Sequence, residues 1–235
     1  MTDLVLYILF LLALIFSFYA QIKVSSTFKQ YSKVACGRGR AANEVARRIL
    51  DSHGLYDVKI ELTGGELTDH YDPRTRVLRL SRPVYFSYSA AAVGVAAHEV
   101  GHAIQHSECY RPLVVRGKLV PIVNFASHFS WLAIILGLIF MGFSTVLSSI
   151  GSYILLAGVG LFAFTTLFHL VTLPVELNAS RRALAELEAT GWYSSEDIKA
   201  SRRVLSAAAM TYIAALAVSV LQLLRLLSMF RGRER

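Results

Sequence analysis

The chain has few charged residues and a large apolar fraction. Asp, Glu, Lys and Arg make up 17% of its 235 residues, and 54% are hydrophobic. Soluble domains usually contain about 25% charged residues. This composition therefore excludes an ordinary soluble domain and indicates a protein that is largely embedded in a membrane.

Cysteine is also scarce, since only Cys36 and Cys109 occur. Neither has a partner at a metal-binding spacing, and we expect both thiols to be reduced in a cytosolic setting. The net charge of +8 could suggest nucleic-acid binding. However, the chain contains no zinc finger, glycine-rich phosphate loop or basic-aromatic repeat. We therefore expect no nucleic-acid partner, and we attribute the positive charge to attraction between juxtamembrane cations and anionic lipid.

Apolar runs at residues 4–20, 129–143, 150–173 and 204–230 are candidates for membrane spans, because about 20 apolar residues cross a bilayer as a helix. The first run lacks a convincing cleavage pattern, which predicts a retained anchor. The second and third flank an uncharged stretch, which predicts a membrane hairpin. The fourth contains Gln222 and Arg225 near its end, so the sequence leaves open whether it spans.

Basic residues predict the orientation, because cytosolic loops are enriched in Lys and Arg. Only Asp3 precedes the first run, whereas many basic residues follow it: Lys23, Lys29, Lys33, Arg38, Arg40, Arg47 and Arg48. We expect the start of the chain to face outward and residues 21–123 to lie in the cytosol. The hairpin then returns residue 174 to the same side. The basic tail at residues 231–235 conflicts with this scheme if the fourth run spans.

The cytosolic part combines helical and extended patterns. Residues 41–53 have helical periodicity, and residues 56–62 alternate as a strand does. A turn at Asp72-Pro73 precedes a second alternating run with Val77 and Leu80. We predict a small hairpin or sheet whose edge either receives a peptide by strand addition or merely covers the core.

The most informative stretch is the H-E-x-x-H motif His98-Glu99-Val100-Gly101-His102. Alanines precede it, and Ser87 or Ser89 can cap the predicted helix. Residues four apart share a helical face, so the two histidines can bind one cation. Glu99 can then act as general base on a zinc-activated water. The alternative is a buried pair of hydrogen-bonded histidines.

Gly101 within the motif is unfavourable in a helix by about 1 kcal/mol relative to alanine. It is expected there only if another segment approaches closely.

A third metal ligand is not obvious from spacing. The longer metzincin motif needs glycine and histidine where the chain has Gln105 and Glu108. Glu108 could bind only if the helix turned back. Glu176, far downstream, could complete a two-histidine, one-glutamate site. On position alone it is better explained as a carboxylate at the start of a helix, where the helix dipole favours negative charge.

The chain resembles the YugP-type membrane zinc metallopeptidases, a bacterial family also described as putative neutral zinc metallopeptidases. The resemblance rests on EVARRIL at residues 44–50, LTDHYDP at residues 67–73, GVAAHEVGHAIQH at residues 94–106 and LPVELNASRR at residues 173–182, with shorter matches at residues 31–33 and 54–58. It covers nearly the whole chain. Its layout is similar to that of the CAAX-processing and heat-shock membrane metallopeptidases, which also place a hairpin between motif and glutamate.

The resemblance implies that His98, His102 and Glu176 bind zinc and that Glu99 is the catalytic base. In the broader relatives an aspartate four residues after the glutamate orients the first histidine, whereas this chain has Ser180 there. A hydroxyl orients more weakly than a carboxylate. Other residues remain candidates for two further roles: Asp69, Asp72 or Asn178 as orienting groups, and His70, Tyr71, Arg181 or Tyr212 as donors to the oxyanion.

Together these features predict a mainly α-helical membrane protein with about four transmembrane helices and a small cytosolic α+β zincin-like catalytic domain. The expected parts are an anchor (1–20), a cytosolic α+β part (21–123), a transmembrane hairpin (124–173), a cytosolic helical part (174–203) and a fourth apolar helix with a basic tail (204–235).

The expected function is that of a zinc (Zn²⁺) metalloendopeptidase in the bacterial cell membrane. It would be a multi-pass protein with its active site on the cytosolic side, acting on membrane-associated peptides or proteins. One alternative is a zinc-stabilised membrane scaffold with little or no proteolysis. A site-2-type protease is disfavoured because no Asp-Gly pair occurs. The sequence does not predict the oligomeric state or the physiological substrate.

Overall fold

The computed structural model describes residues 2–143 and 145–231 of the chain. Within them the elements are α1 (Thr2–Tyr31), α2 (Ala42–Ser52), β1 (Lys59–Thr63), β2 (His70–Asp72), β3 (Val77–Ser81), α3 (Arg82–Tyr85), α4 (Ala90–Ser107), α5 (Arg111–Met141), α6 (Thr145–Ala189) and α7 (Ser195–Arg231).

The chain divides into two compact units. The bundle unit comprises the residues up to Phe18, Val115–Leu173 and the residues from Tyr212 onward. The site unit comprises Tyr19–Val114 and Pro174–Thr211.

Four helices of the described chain are long and apolar enough to cross a membrane: Leu4–Tyr31, Arg111–Met141, Leu147–Ala189 and Ser195–Met229. The prediction of a mainly α membrane protein with about four transmembrane helices and a small α+β part is therefore confirmed. Because α7 runs unbroken through the fourth apolar run, its polar residues do not interrupt the helix. Ser144 of the predicted hairpin turn and residues 232–235 of the basic tail lie outside the described residues.

Within the bundle unit, α5 and α6 pack closely through glycines. A Cβ atom added at Gly158 would lie 2.8 Å from the main-chain nitrogen of Ile134, and one added at Gly151 would lie 2.7 Å from the main-chain oxygen of Gly137. Small residues allow two helix backbones to approach in a membrane, where dispersion contacts replace the hydrophobic effect as the driving force. The α5–α6 hairpin is therefore stabilised by close van der Waals contact between the two helix backbones.

Arg225 joins the first and last helices of the bundle unit. Its guanidinium carbon lies 4.9 Å from the ring centroid of Tyr7 and 4.5 Å from that of Phe10. It also donates a hydrogen bond to Gln222 Oε1 (3.0 Å). Such cation–π contacts accommodate a cation in an apolar region, and they place the beginning of α1 beside the end of α7.

The site unit contains a three-stranded sheet in the order β1-β3-β2. β1 pairs with β3 in parallel, and β2 pairs with β3 antiparallel. The predicted sheet is confirmed, but the hairpin forms between β2 and β3 and does not involve β1. β2 has three residues, too few to give a detectable alternating pattern, and it occupies one edge of the sheet.

The helix predicted at residues 41–53 is α2, and its buried face includes Val45, Ala46, Ile49 and Leu50. This face packs against α4 in the core of the site unit. Ser89 caps α4, since its side-chain oxygen accepts a hydrogen bond from the main-chain N–H of Ala92 (3.2 Å). The cap satisfies a donor that the first turn of the helix would otherwise leave free.

Gly158→Ala is expected to lower the stability of the protein in detergent. The added methyl group would overlap the α5 backbone, and such overpacking typically costs about 1–3 kcal/mol. Gly160→Ala is the matched control on the same helix, because nothing lies within 4 Å of a Cβ atom at Gly160. Alanine favours helix over glycine, so this control should leave the melting temperature unchanged or higher. Equal effects of the two substitutions in thermal unfolding would contradict the proposed packing.

Candidate metal centre

Helix α4 presents both motif histidines on one face. His98 and His102 are four residues apart, and their ring centroids are 4.8 Å apart with the planes nearly perpendicular (84°). Residues four apart on a helix are neighbours on its surface. Both side chains are mostly buried, with 13% and 11% of their surface exposed. The helix alone thus supplies a pair of imidazoles facing a common space.

Glu176 reaches this space from α6. Its Oε2 lies 3.2 Å from His98 Nε2 and 3.5 Å from His102 Nε2. The ligand atoms of the three side chains all lie within 4.8 Å of one another. Glu176 lies well inside α6, which runs from Thr145 to Ala189. Its interpretation as a carboxylate at the start of a helix is therefore wrong, because the helix continues through Pro174 without a new beginning.

The two helices approach so closely because Gly101 lacks a side chain. A Cβ atom added at Gly101 would lie 2.7 Å from the main-chain oxygen of Ala179 and 3.2 Å from its Cα. Ala179 is itself fully buried. Glycine is unfavourable in the interior of α4, but its presence at position 101 is explained by the contact between the α4 and α6 backbones. This contact brings Glu176 within reach of the histidines.

Each histidine is oriented through its second ring nitrogen. His98 Nδ1 lies 3.1 Å from Ser180 Oγ, and His102 Nδ1 lies 3.0 Å from Gln105 Oε1. Both Nε2 atoms are left facing the buried carboxylate. Two imidazole nitrogens and one carboxylate oxygen are donors that zinc accepts in three-ligand sites. The residues present therefore fit a zinc ion.

Glu99 lies beside the ligand set. Its Oε2 accepts a hydrogen bond from the main-chain N–H of Tyr71 in β2 (3.0 Å). Burial raises the pKa of Glu99 above its ordinary value, although the charges of His98 and His102 oppose that shift. A carboxylate that is held by one oxygen has its other oxygen free for proton transfer.

Two aspartates that could have oriented the histidines stabilise other parts of the fold. Asp69 accepts hydrogen bonds from the main-chain N–H and the hydroxyl of Ser81. Asp72 accepts from the main-chain N–H of Arg74 and the hydroxyl of Thr75 in the β2–β3 turn. Ser180, four residues after Glu176, contacts His98; the sequence had left open whether this hydroxyl or another residue orients the histidine.

The candidate oxyanion donors differ in their surroundings. The Tyr71 hydroxyl is 2.9 Å from His106 Nδ1, which gives His106 a partner. His70 is exposed, with Nδ1 2.8 Å from the Thr68 carbonyl oxygen. Arg181 lines a groove between α6 and α7, and Tyr212 belongs to the bundle unit. Of these four residues, Tyr71 contacts a motif side chain, since its main-chain N–H donates to Glu99.

Glu108 lies just past the end of α4. It pairs with Arg182 at 2.7 Å, so it does not join the ligand set.

Gln105 contacts His102, but the sequence patterns did not identify it, because it was considered only for its failure to match the metzincin motif. Its position three residues after His102, on the same helical face, was the available signal.

Comparisons with known proteins agree with the resemblance seen in the sequence motifs. The profile of the family described as “Putative neutral zinc metallopeptidase” matches residues 6–231. A relative from Bacillus subtilis (strain 168), named “Putative membrane protease YugP”, is 48% identical over 224 residues, which cover 94% of this chain and 95% of the relative. No solved structure matches the chain.

Gly101→Ala is expected to weaken zinc binding by moving α4 away from α6. The methyl group must displace the Ala179 backbone, whose shift would carry Glu176 away from the histidines. Gly94→Ala is the control on the same helix, since its Cβ atom would press on Ser201 of α7 at 3.2 Å. Both variants should lose stability in thermal unfolding, but only Gly101→Ala should lose zinc in metal analysis after dialysis. Full zinc retention by Gly101→Ala would contradict this account.

Proposed function

Because this chain belongs to the family of putative neutral zinc metallopeptidases, we propose that it is a membrane-embedded zinc metalloendopeptidase. It hydrolyses peptide bonds of membrane or membrane-proximal proteins. The observation that supports this proposal is the convergence of His98, His102 and Glu176, whose ligand atoms lie within 4.8 Å of one another. These atoms come from two helices and form the two-imidazole, one-carboxylate donor set that zinc accepts in three-ligand sites.

His98 Nε2, His102 Nε2 and a carboxylate oxygen of Glu176 would hold the zinc ion. Zinc in a three-ligand site supplies Lewis acidity and makes water acidic enough to act as a nucleophile near neutral pH. Ser180 and Gln105 keep both imidazoles turned so that Nε2 faces this position.

Glu99 is the general base in this proposal. Its Oε2 is held by the main-chain N–H of Tyr71, so Oε1 takes the proton as water attacks the scissile carbonyl. The same oxygen then donates that proton to the leaving amine nitrogen, which must be protonated before the peptide bond can break. Burial supports this role because it raises the pKa of Glu99 above its ordinary value, which favours uptake of a proton by this carboxylate.

The edge strand β2 is the proposed place for the substrate backbone. β2 lies at one edge of the sheet, and its Tyr71 N–H points to Glu99 instead of to β3. An extended peptide beside this edge would therefore lie next to the general base. Since α6 is itself a candidate span, the substrates in reach are membrane or membrane-proximal segments.

We propose that the site unit faces the cytosol. The basic residues after the first span favour this side, and four crossings then place the beginning of α1 and the end of α7 on the opposite side. Arg225 fits this arrangement, because its contacts with Tyr7 and Phe10 put the beginning of α1 beside the end of α7.

The protein purified in detergent is expected to carry about one zinc per chain, removable by a chelator. Separate replacement of His98, His102 or Glu176 by Ala should abolish zinc retention. Glu99→Gln should keep zinc but lose hydrolysis, because an amide cannot take up the proton. Metal analysis and cleavage of a peptide library measure the two effects separately.

A Glu176→Ala protein that holds zinc as tightly as the wild type would remove Glu176 from the site. Membrane proteomes of cells that express wild-type or Glu99→Gln protein provide the cellular test, since fragments unique to the wild type identify substrates. A zinc-bound protein whose Glu99→Gln form preserves the cellular role would instead favour a scaffold.

Labelling of Cys109 tests the orientation. Cys109 is exposed, whereas Cys36 is buried. Burial, with a smaller contribution from Asp197, raises the pKa of the Cys36 thiol to about 12, so Cys36 should not react at neutral pH. A membrane-impermeant maleimide should label the protein only after cells are permeabilised, and Cys109→Ser should abolish that signal. Labelling of Cys109 in intact cells would reverse the proposed orientation.

A further inference from the structure

Gln105 is a fully buried polar side chain next to the candidate metal centre. It is 0% exposed, and its Oε1 lies 3.0 Å from His102 Nδ1. Its Nε2 donates to the main-chain oxygen of Val175 and to Asn178 Oδ1, both at 2.9 Å. One amide therefore joins a motif histidine on α4 to two residues that flank Glu176 on α6.

The direction of every hydrogen bond in this network is determined by the residues at its ends. Arg182 Nε lies 2.8 Å from the Asn178 side chain. Because a guanidinium only donates, the Asn178 atom that it contacts must be oxygen. The Val175 carbonyl likewise only accepts. Gln105 must therefore direct its NH₂ group at these two oxygens.

This orientation leaves Gln105 Oε1 facing His102. An amide oxygen only accepts, so the proton of the neutral imidazole must lie on Nδ1. The lone pair of His102 is then on Nε2, the nitrogen that faces Glu176. With the amide reversed, its oxygen would face two other oxygens in a buried space, which costs free energy.

We propose that Gln105 is a positioning residue that fixes His102 in the Nδ1-protonated tautomer and ties the motif helix to α6 beside Glu176. This inference rests on the proposed zinc site. A neutral amide is suited to both tasks, because a carboxylate could accept from His102 but could not donate to Val175 and Asn178. The network ends at the ion pair between Arg182, whose side chain is 25% exposed, and Glu108, whose side chain is 50% exposed, so its terminal charge is paired.

Two substitutions separate the positioning role from a structural one. Gln105→Met keeps the volume but removes the acceptor and the donors. Gln105→Glu keeps an acceptor for His102 but places a carboxylate against two oxygens. Zinc affinity, measured by competition with a chromogenic chelator on the full-length protein in detergent, should fall about 10- to 100-fold in Gln105→Met. It should fall less in Gln105→Glu. Thermal stability of the metal-free protein should fall in the opposite order, with Gln105→Glu the less stable.

The imidazole nitrogens provide an independent readout. In ¹⁵N-histidine-labelled, zinc-loaded protein, the wild type should show His102 with its proton on Nδ1 and its Nε2 on the metal, whereas Gln105→Met should also show the reversed tautomer. A His102→Phe sample assigns the signals. Zinc affinity that simply follows stability in both variants, or an unchanged tautomer in Gln105→Met, would overturn the proposal.

Ser201→Ala is the control, because it removes a buried hydrogen bond to α4 at a position away from the metal ligands. The Ser201 hydroxyl is buried and donates to the main-chain oxygen of Ala90 (2.9 Å), so its loss should lower stability without changing zinc affinity. A wild-type protein that binds no zinc would refute the proposed function itself. A wild type and a Gln105→Met protein that bind zinc equally well would refute only the role of Gln105.

Discussion

The close approach of α4 and α6 is the constraint on which the rest of the site depends. Neither helix holds three ligands, and the two backbones can approach closely because the Gly101 position leaves room for the Ala179 backbone. The surrounding α4 surface is made of small residues, so other helices also approach it closely. At Gly94, for example, an added Cβ atom would contact Ser201 of α7. The small side chains on the motif helix bury less apolar surface than larger ones would, but they allow neighbouring backbones to come close.

That proximity requires the buried polar groups near the ligands to find partners, since an unpaired buried polar group costs about 1–3 kcal/mol. The structure satisfies them mostly with neutral groups. Ser180 contacts His98, Gln105 contacts His102, and a main-chain N–H holds Glu99. In the part of the chain that the structure describes, Glu176 and Glu99 are the carboxylates placed beside the histidines. One of them faces both imidazoles, and the other is placed for proton transfer.

Local patterns in the sequence predicted several elements well. Periodicity indicated a helix at residues 41–53, observed as Ala42–Ser52, and Ser89 was one of two predicted caps for α4. Long apolar runs predicted the spanning helices. Strand pairing was less accessible, because the parallel pairing of β1 with β3 depends on a connection that local alternation does not describe. β2 was too short to be recognised, although its Tyr71 main chain contacts Glu99.

The sequence by itself determined the membrane class, the spacing of His98 and His102 and the place of Glu99 between them, because helical periodicity and apolar length are local properties. Motif resemblance, and not spacing, pointed to Glu176 as the third ligand, and it left the role of Ser180 open. Only the tertiary structure decided that Glu176 lies inside a continuous helix and meets both imidazoles. It also decided which hydrogen-bond partner orients each histidine. The contacts of His98 with Glu176 and Ser180 join segments 78 and 82 residues apart in sequence, and no local pattern encodes the packing that brings such segments together.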